Sequence, residues 1–452
     1  SNGGDILFYG QSDTAGGFAS SYATGLGLYA STITSNGGNV LLRGSSTGAD
    51  AGSDDAGVVL DGTTIDAGTG NVDVFGTGQR DVAGIIANAG SIASAGGAVL
   101  FDGRSEGGDG VRMDGFGIAS GGGDISILGY GDGIGVYAEY ADLDSGGGNI
   151  VVHGEGGTGN GVDMSALLAS GGGGISVYGS STDAAGLVFG DGYYAGMTSS
   201  GGDIELEGHG ATGGVALYAG SYGSSAIDSG GGDITVTGTA SAAGAIGVYS
   251  DGVDLIGGAG DVTVDGSAPS GIGILLANGA GVSTTTGAIA LIGTGATFGL
   301  DIADGAIDTD SGDISLTGTA LDPAATAGVR VAGGGLSTNG GDITVTGTSA
   351  GGVGVQLGDG GAFAIGSGGG AIGIEGTGIT TGVLMQGNDV DSGGGDISVT
   401  GIAPGANGTG VDLADARRVG STGDVSVLGN AAAGTGVELA GAIGELAQHT
   451  LK

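Results

Sequence analysis

Ser229-Gly-Gly-Gly-Asp-Ile-Thr-Val-Thr-Gly238 decides the fold of this chain. A run of small residues makes a turn, an Asp follows it, and Ile234 and Val236 alternate with threonines before a closing glycine. Ser392-Gly-Gly-Gly-Asp-Ile-Ser-Val-Thr-Gly401 repeats the same phrase. Sixteen copies begin near residues 1, 35, 67, 94, 120, 145, 170, 199, 229, 257, 284, 309, 338, 367, 392 and 420. Their mean spacing of about 28 residues lies in the range of stacked-repeat architectures.

Counted from the start of each copy, the sixth and eighth residues are apolar in all sixteen, from Ile6/Phe8 and Val40/Leu42 to Val425/Val427. The residues beside them are mixed, as at Thr235/Thr237, Glu205/Glu207 and Leu41/Arg43. Such alternation predicts a half-buried strand. A glycine follows in every copy, from Gly10 and Gly44 to Gly429, where either a positive φ or close backbone packing is expected. A second strand of the form Gly-apolar-x-apolar comes next, as in Gly57-Val-Val-Leu60 and Gly410-Val-Asp-Leu413. A third, very short one centres on a single apolar residue such as Ile33, Ile65, Ile92, Leu143 or Val390.

Three short strands per copy make a triangular coil, and stacked coils make an all-β parallel solenoid. One coil buries too little apolar surface to offset the ordering of its own backbone, so neighbours must share the core. Sixteen coils at ~4.8 Å each predict a single continuous solenoid over 1–452, a rod of about 75 Å. The tail Glu445-Leu-Ala-Gln-His-Thr-Leu-Lys452 reads as a possible C-terminal cap over 445–452. The corner between the first two strands varies most in length, which makes it a natural place for recognition.

Glycine supplies 118 of 452 residues, yet only 3 prolines and no Gly-X-Y period exclude collagen. The in-register apolar positions argue against disorder. A net charge of -40 disfavours nucleic acid and anionic membrane surfaces as partners. No stretch is apolar enough for a transmembrane segment, and the absence of cysteine removes disulfides and thiolate metal sites. The chain opens inside a repeat at Ser1-Asn2-Gly3-Gly4, and is expected to be a mature or excised piece of an exported precursor.

The tandem "SGGGDIxVTG…GVxL…I" grammar resembles the repeat regions of filamentous-haemagglutinin-like, autotransporter-type exoproteins, over essentially the whole chain. The resemblance implies a right-handed parallel β-helix and a cell-surface or secreted adhesin or extracellular fibre.

Four groups of residues invite chemistry. The fifth residue of each copy is Asp in nine cases and Asn at Asn39, Asn71 and Asn149. One reading is an Asx side chain accepting a backbone N–H and fixing its turn. The other is calcium, with Asp228 and Asp233, Asp391 and Asp396, and Asp308, Asp310 and Asp313 flanking single turns. Glu205 and Glu207 share the outward face of one strand, with His209 just past it, and would serve acid–base chemistry or a metal if neighbouring coils added to them. Outward Thr235/Thr237 and Thr344/Thr346 resemble the flat arrays of ice-binding solenoids, interrupted by Glu205/Glu207 and Gly373/Glu375. All twelve tyrosines lie within residues 1–249, and Tyr137, Tyr140, Tyr193, Tyr194, Tyr218, Tyr222 and Tyr249 are expected along one edge as a glycan or protein contact.

The leading expectation is a non-enzymatic extracellular or cell-surface β-solenoid, structural or adhesive, whose partner is a surface glycan or protein. A fibre subunit that self-associates end to end, a polysaccharide-active β-helix enzyme and an ice-binding solenoid are the alternatives.

Overall fold

The computed structural model describes residues 1–12, 24–47, 55–191, 195–219, 225–359 and 363–439. The alternation at Val40 and Leu42 becomes the strand Val40–Ser46, with Val40 and Leu42 fully buried and Arg43 exposed between Leu42 and Gly44. Its neighbours pair in parallel and strictly in register, Ile6 with Val40 and Val40 with Val72. Each copy therefore stacks position on position, and from Val40/Leu42 to Ile397/Val399 the sixth and eighth positions form continuous buried columns. Among the described residues all strand pairings are parallel and none of the elements is a helix. The protein is a parallel β-solenoid, and no helix is long and apolar enough to cross a membrane.

Cα proximity divides the chain into two compact units, Ser1–Gly232 and Asp233–Lys452. In the N-terminal unit eight first strands stack, from Ile6–Ser12 to Ile204–Gly210. A second ladder runs from Leu26–Tyr29 to Gly213–Tyr218, and a third includes Thr32–Thr34, Thr64–Asp66 and Gly196–Thr198. Val136–Asp144 carries the second and third strands without a break, and its register slips between Glu139 and Ala141, where Tyr140 has φ 52°. The C-terminal unit stacks another eight first strands, from Ile234–Ala240 to Val425–Glu438. Ile397–Asp415 there runs straight through the first corner. The third-strand centres Ile33, Ile65, Ile92, Leu143 and Val390 are all buried, as their apolar character predicts.

Two sequence expectations are sharpened. The first strand does not close at its glycine but continues two residues past it, as in Val40–Ser46 and Ile343–Ser349. That glycine is required by close packing rather than by a positive φ: a Cβ on Gly44 would sit 1.9 Å from the Gly57 carbonyl oxygen. The first and second strands thus meet backbone to backbone at a glycine pair. Left-handed geometry belongs instead to the Ser-Gly-Gly-Gly turn, where Gly146 and Gly147 have φ 63° and 127°. The buried Ser145 hydroxyl ties that turn, donating to the Gly148 carbonyl at 2.5 Å and the Ser170 carbonyl of the next coil at 3.1 Å. The tail 445–452 lies outside the described residues.

Candidate functional site

The Asx column has one task. Asp5 Oδ1 accepts the backbone N–H of Asn39 at 2.8 Å, Asn39 accepts that of Asn71 at 3.0 Å, and Asn71 accepts that of Ala98 at 2.9 Å. In the C-terminal unit Asp233, Asp261, Asp313, Asp342 and Asp396 do the same toward Asp261, Ala288, Asp342, Ala371 and Asp424, all at 2.7–2.8 Å. The backbone-accepting reading holds, with one change. The donor lies one coil further on, so the side chain staples coils together rather than closing its own turn.

Five of the seven proposed calcium ligands accept backbone N–H groups. Asp228 and Asp391 each accept the N–H two residues ahead, from Gly230 at 2.8 Å and Gly393 at 2.9 Å. Asp391 also pairs with Arg418 at 2.9 Å. Asp233, Asp313 and Asp396 are staples, while Asp308 lies on Ala306–Thr309 with Asp310 just beyond it. Among the described residues no group of three or more His, Cys, Asp or Glu side chains comes together as a metal site.

The outward face of the first ladder in the N-terminal unit is different in kind. Tyr9, Arg43, Phe75 and Asp102 occupy one column, in register. Arg43 lies over the Phe75 ring at 4.9 Å, and Arg104 over Tyr130 at 4.6 Å. The stripe continues with Tyr130 beside His153 at 5.6 Å, His153 stacked on Tyr178 at 4.6 Å, and Tyr178 beside His209 at 5.8 Å. Carboxylates border it: Asp102 with Arg104 at 2.9 Å, Glu155 with His153 at 3.0 Å, and Glu207 with His209 at 2.7 Å. Burial between Leu41 and Leu100 pushes the Asp73 carboxyl above its ordinary range. A shallow hollow of about 310 Å³ opens here between Tyr9, Arg43, Phe75, Asp102 and Arg104, floored by Gly44 and Gly76.

Glu205, Glu207 and His209 therefore end an aromatic–cation stripe. His209 is in register with Ser180, and the His153–Glu155 pair lies two coils earlier on the same face.

The expected tyrosine edge is only partly brought together. Tyr193, Tyr194 and Tyr222 lie outside the described residues. Tyr137 and Tyr140 share Val136–Asp144, and Tyr137 is followed in its column by Asp163, Val188 and Ala216. Tyr218 ends Gly213–Tyr218, two residues beyond the Tyr137 column, and Tyr249 belongs to the C-terminal unit, bonding Asp251 at 3.1 Å. Tyr137 is half-buried, sits 5.5 Å from Arg112 and donates to Glu139 at 2.7 Å. Burial first, then that bond, pushes its hydroxyl up to about 12.

Sequence reasoning passed over Tyr9, Phe75, Tyr130 and Tyr178, and over the hydroxyl column Thr239, Ser267, Thr294, Thr319, Thr348 and Thr377. Both were available by aligning the ninth and eleventh residues of each copy. Comparison with protein-family models, with curated proteins and with solved structures returns no match for this chain.

Proposed function

We propose that this protein is a non-catalytic adhesive β-solenoid acting outside the cell, with the first-ladder face of its N-terminal unit as the contact surface for a glycan or protein. One observation carries the reading: on a chain of net charge -40, two arginines, two histidines and four aromatic rings line one outward stripe from Tyr9 to His209. Outward strand positions are free of packing duties, and rigid rings there provide contact area at low entropic cost. The acidic remainder keeps the stacked strands soluble and repels indiscriminate partners.

The test is binding of the whole chain to cell surfaces and to a glycan array, beside a variant with Tyr9→Ser, Phe75→Thr, Tyr130→Thr and Tyr178→Thr. Loss of binding with an unchanged melt is expected. Undiminished binding would refute the assignment of this face.

The hydroxyl column of the C-terminal unit, from Thr239 to Thr377, is too narrow to carry the ice-binding alternative. Exposed Asp265, Ile292 and Glu375 interrupt the column beside it, so thermal hysteresis near zero is expected.

A further inference from the structure

The hollow at the start of the stripe has features that select a ligand class. Arg43 is exposed and its guanidinium lies over Phe75 at 4.9 Å. A guanidinium held over a ring keeps its N–H groups in its own plane, directed sideways. Among the described residues Arg43, Arg80, Arg112 and Arg417 make no ion pair, whereas Arg104, Arg330 and Arg418 are each paired. Of these unpaired arginines, Arg43 is the one that lines this hollow, beside Tyr9 and Phe75. Tyr9, at 66% exposure, stands on the other side of Arg43 in the same column. Ser45, Thr77 and Asp102 line the same hollow and suit sugar hydroxyls.

We propose that this hollow is a subsite for a carboxylate-bearing sugar, a uronic acid within an acidic glycan. The inference rests on the adhesive reading and adds the chemical class of the partner. The Arg43 fork, braced on Phe75, takes the carboxylate by paired N–H···O bonds, and the exposed Tyr9 ring beside it covers the apolar face of the pyranose. A neutral sugar would leave Arg43 uncompensated, and a planar carboxylate suits the planar fork.

Calorimetric titration of the whole chain at physiological salt with trigalacturonic acid, its methyl ester and neutral galactotriose tests this. The acid is expected to bind at least tenfold more tightly than the ester or the neutral sugar. Arg43→Gln should cut affinity for the acid at least tenfold, Arg43→Lys less, and Thr317→Gln on the C-terminal unit not at all. Tyr9→Ala, at an exposed ring, should weaken binding of the acid as well, and it keeps the test decisive should Arg43→Gln fail to fold. Equal binding of acid and ester, or full affinity in both Arg43→Gln and Tyr9→Ala, would overturn the proposal. Failure with acidic sugars while array or cell binding persists would refute the ligand class alone. Loss of every binding signal would refute the adhesive reading itself.

Discussion

The ninth residue of each copy reads Tyr9, Arg43, Phe75, Asp102, Leu128, His153, Tyr178, Glu207 in the N-terminal unit. In the C-terminal unit it reads Thr237, Asp265, Ile292, Thr317, Thr346, Glu375, Thr400, Leu428. The backbone beneath is the same: parallel strands in register, an apolar residue before and a glycine after. The fold therefore makes almost no demand on these outward positions, and Thr is what an exposed strand accepts by default. Where the column departs from that default toward rings and cations, stability does not supply the reason.

Arginine shows the contrast most sharply. Arg330 in the C-terminal unit grips Asp301 through two bonds of 2.7 Å, and Asp301 is 3% exposed. Removing Arg330 strands a buried carboxylate. Arg330→Ala should cost about 3 kcal/mol in denaturant unfolding. A cost below about 1 kcal/mol would erase the distinction between structural and recognition arginines.

The staples come next, and both units share them. Asp313→Ala frees the Asp342 N–H from a charge-assisted bond and should cost about 1–2 kcal/mol. Asp342→Asn should change stability by less than about 0.5 kcal/mol, because Asn39 and Asn71 already perform this role. Excess EGTA should leave the melt of the parent unchanged; a fall would restore calcium to the turns.

How much of this was legible depends on what each residue answers to. Val40, Leu42, Ile65 and Met113 answer to the core, so their period in the sequence already states the coil and its three strands. Gly44 answers to the Gly57 carbonyl across the coil, a contact that no one-dimensional pattern expresses. Asp5 was readable as a backbone acceptor, but its donor lies 34 residues away and only stacking brings it near. The stripe from Tyr9 to His209 was hidden for another reason. Its members share a position in the copy rather than neighbours in the chain, and tyrosines near one another in sequence drew attention to Tyr137 and Tyr140 instead.

The second-ladder face of the N-terminal unit offers a pH test of whether outward chemistry there costs stability. Burial, together with the charges of Asp191 and Glu139, pushes the Asp163 carboxyl above its ordinary range, against an opposing bond from Asn160 at 2.9 Å. A folded-state value above the unfolded one means that the folded chain holds more protons between the two. Stability contributed by this group is then greatest in acid and falls as pH rises through the folded value. Asp163→Asn should melt higher than the parent at neutral pH, with the difference vanishing near about pH 3. A parent that melts higher at every pH would show that the carboxylate is structurally required.

A small stability effect is expected where the binding effect is largest. Arg43→Ala removes an exposed cation–π contact and should cost less than about 1 kcal/mol, no more than Thr317→Ala on the corresponding column of the C-terminal unit. In binding the two should differ completely, the first abolishing capture of an acidic glycan and the second leaving it intact. If both variants instead unfolded alike and bound alike, the two faces would be equivalent surfaces, and the difference between their columns would carry no chemical meaning.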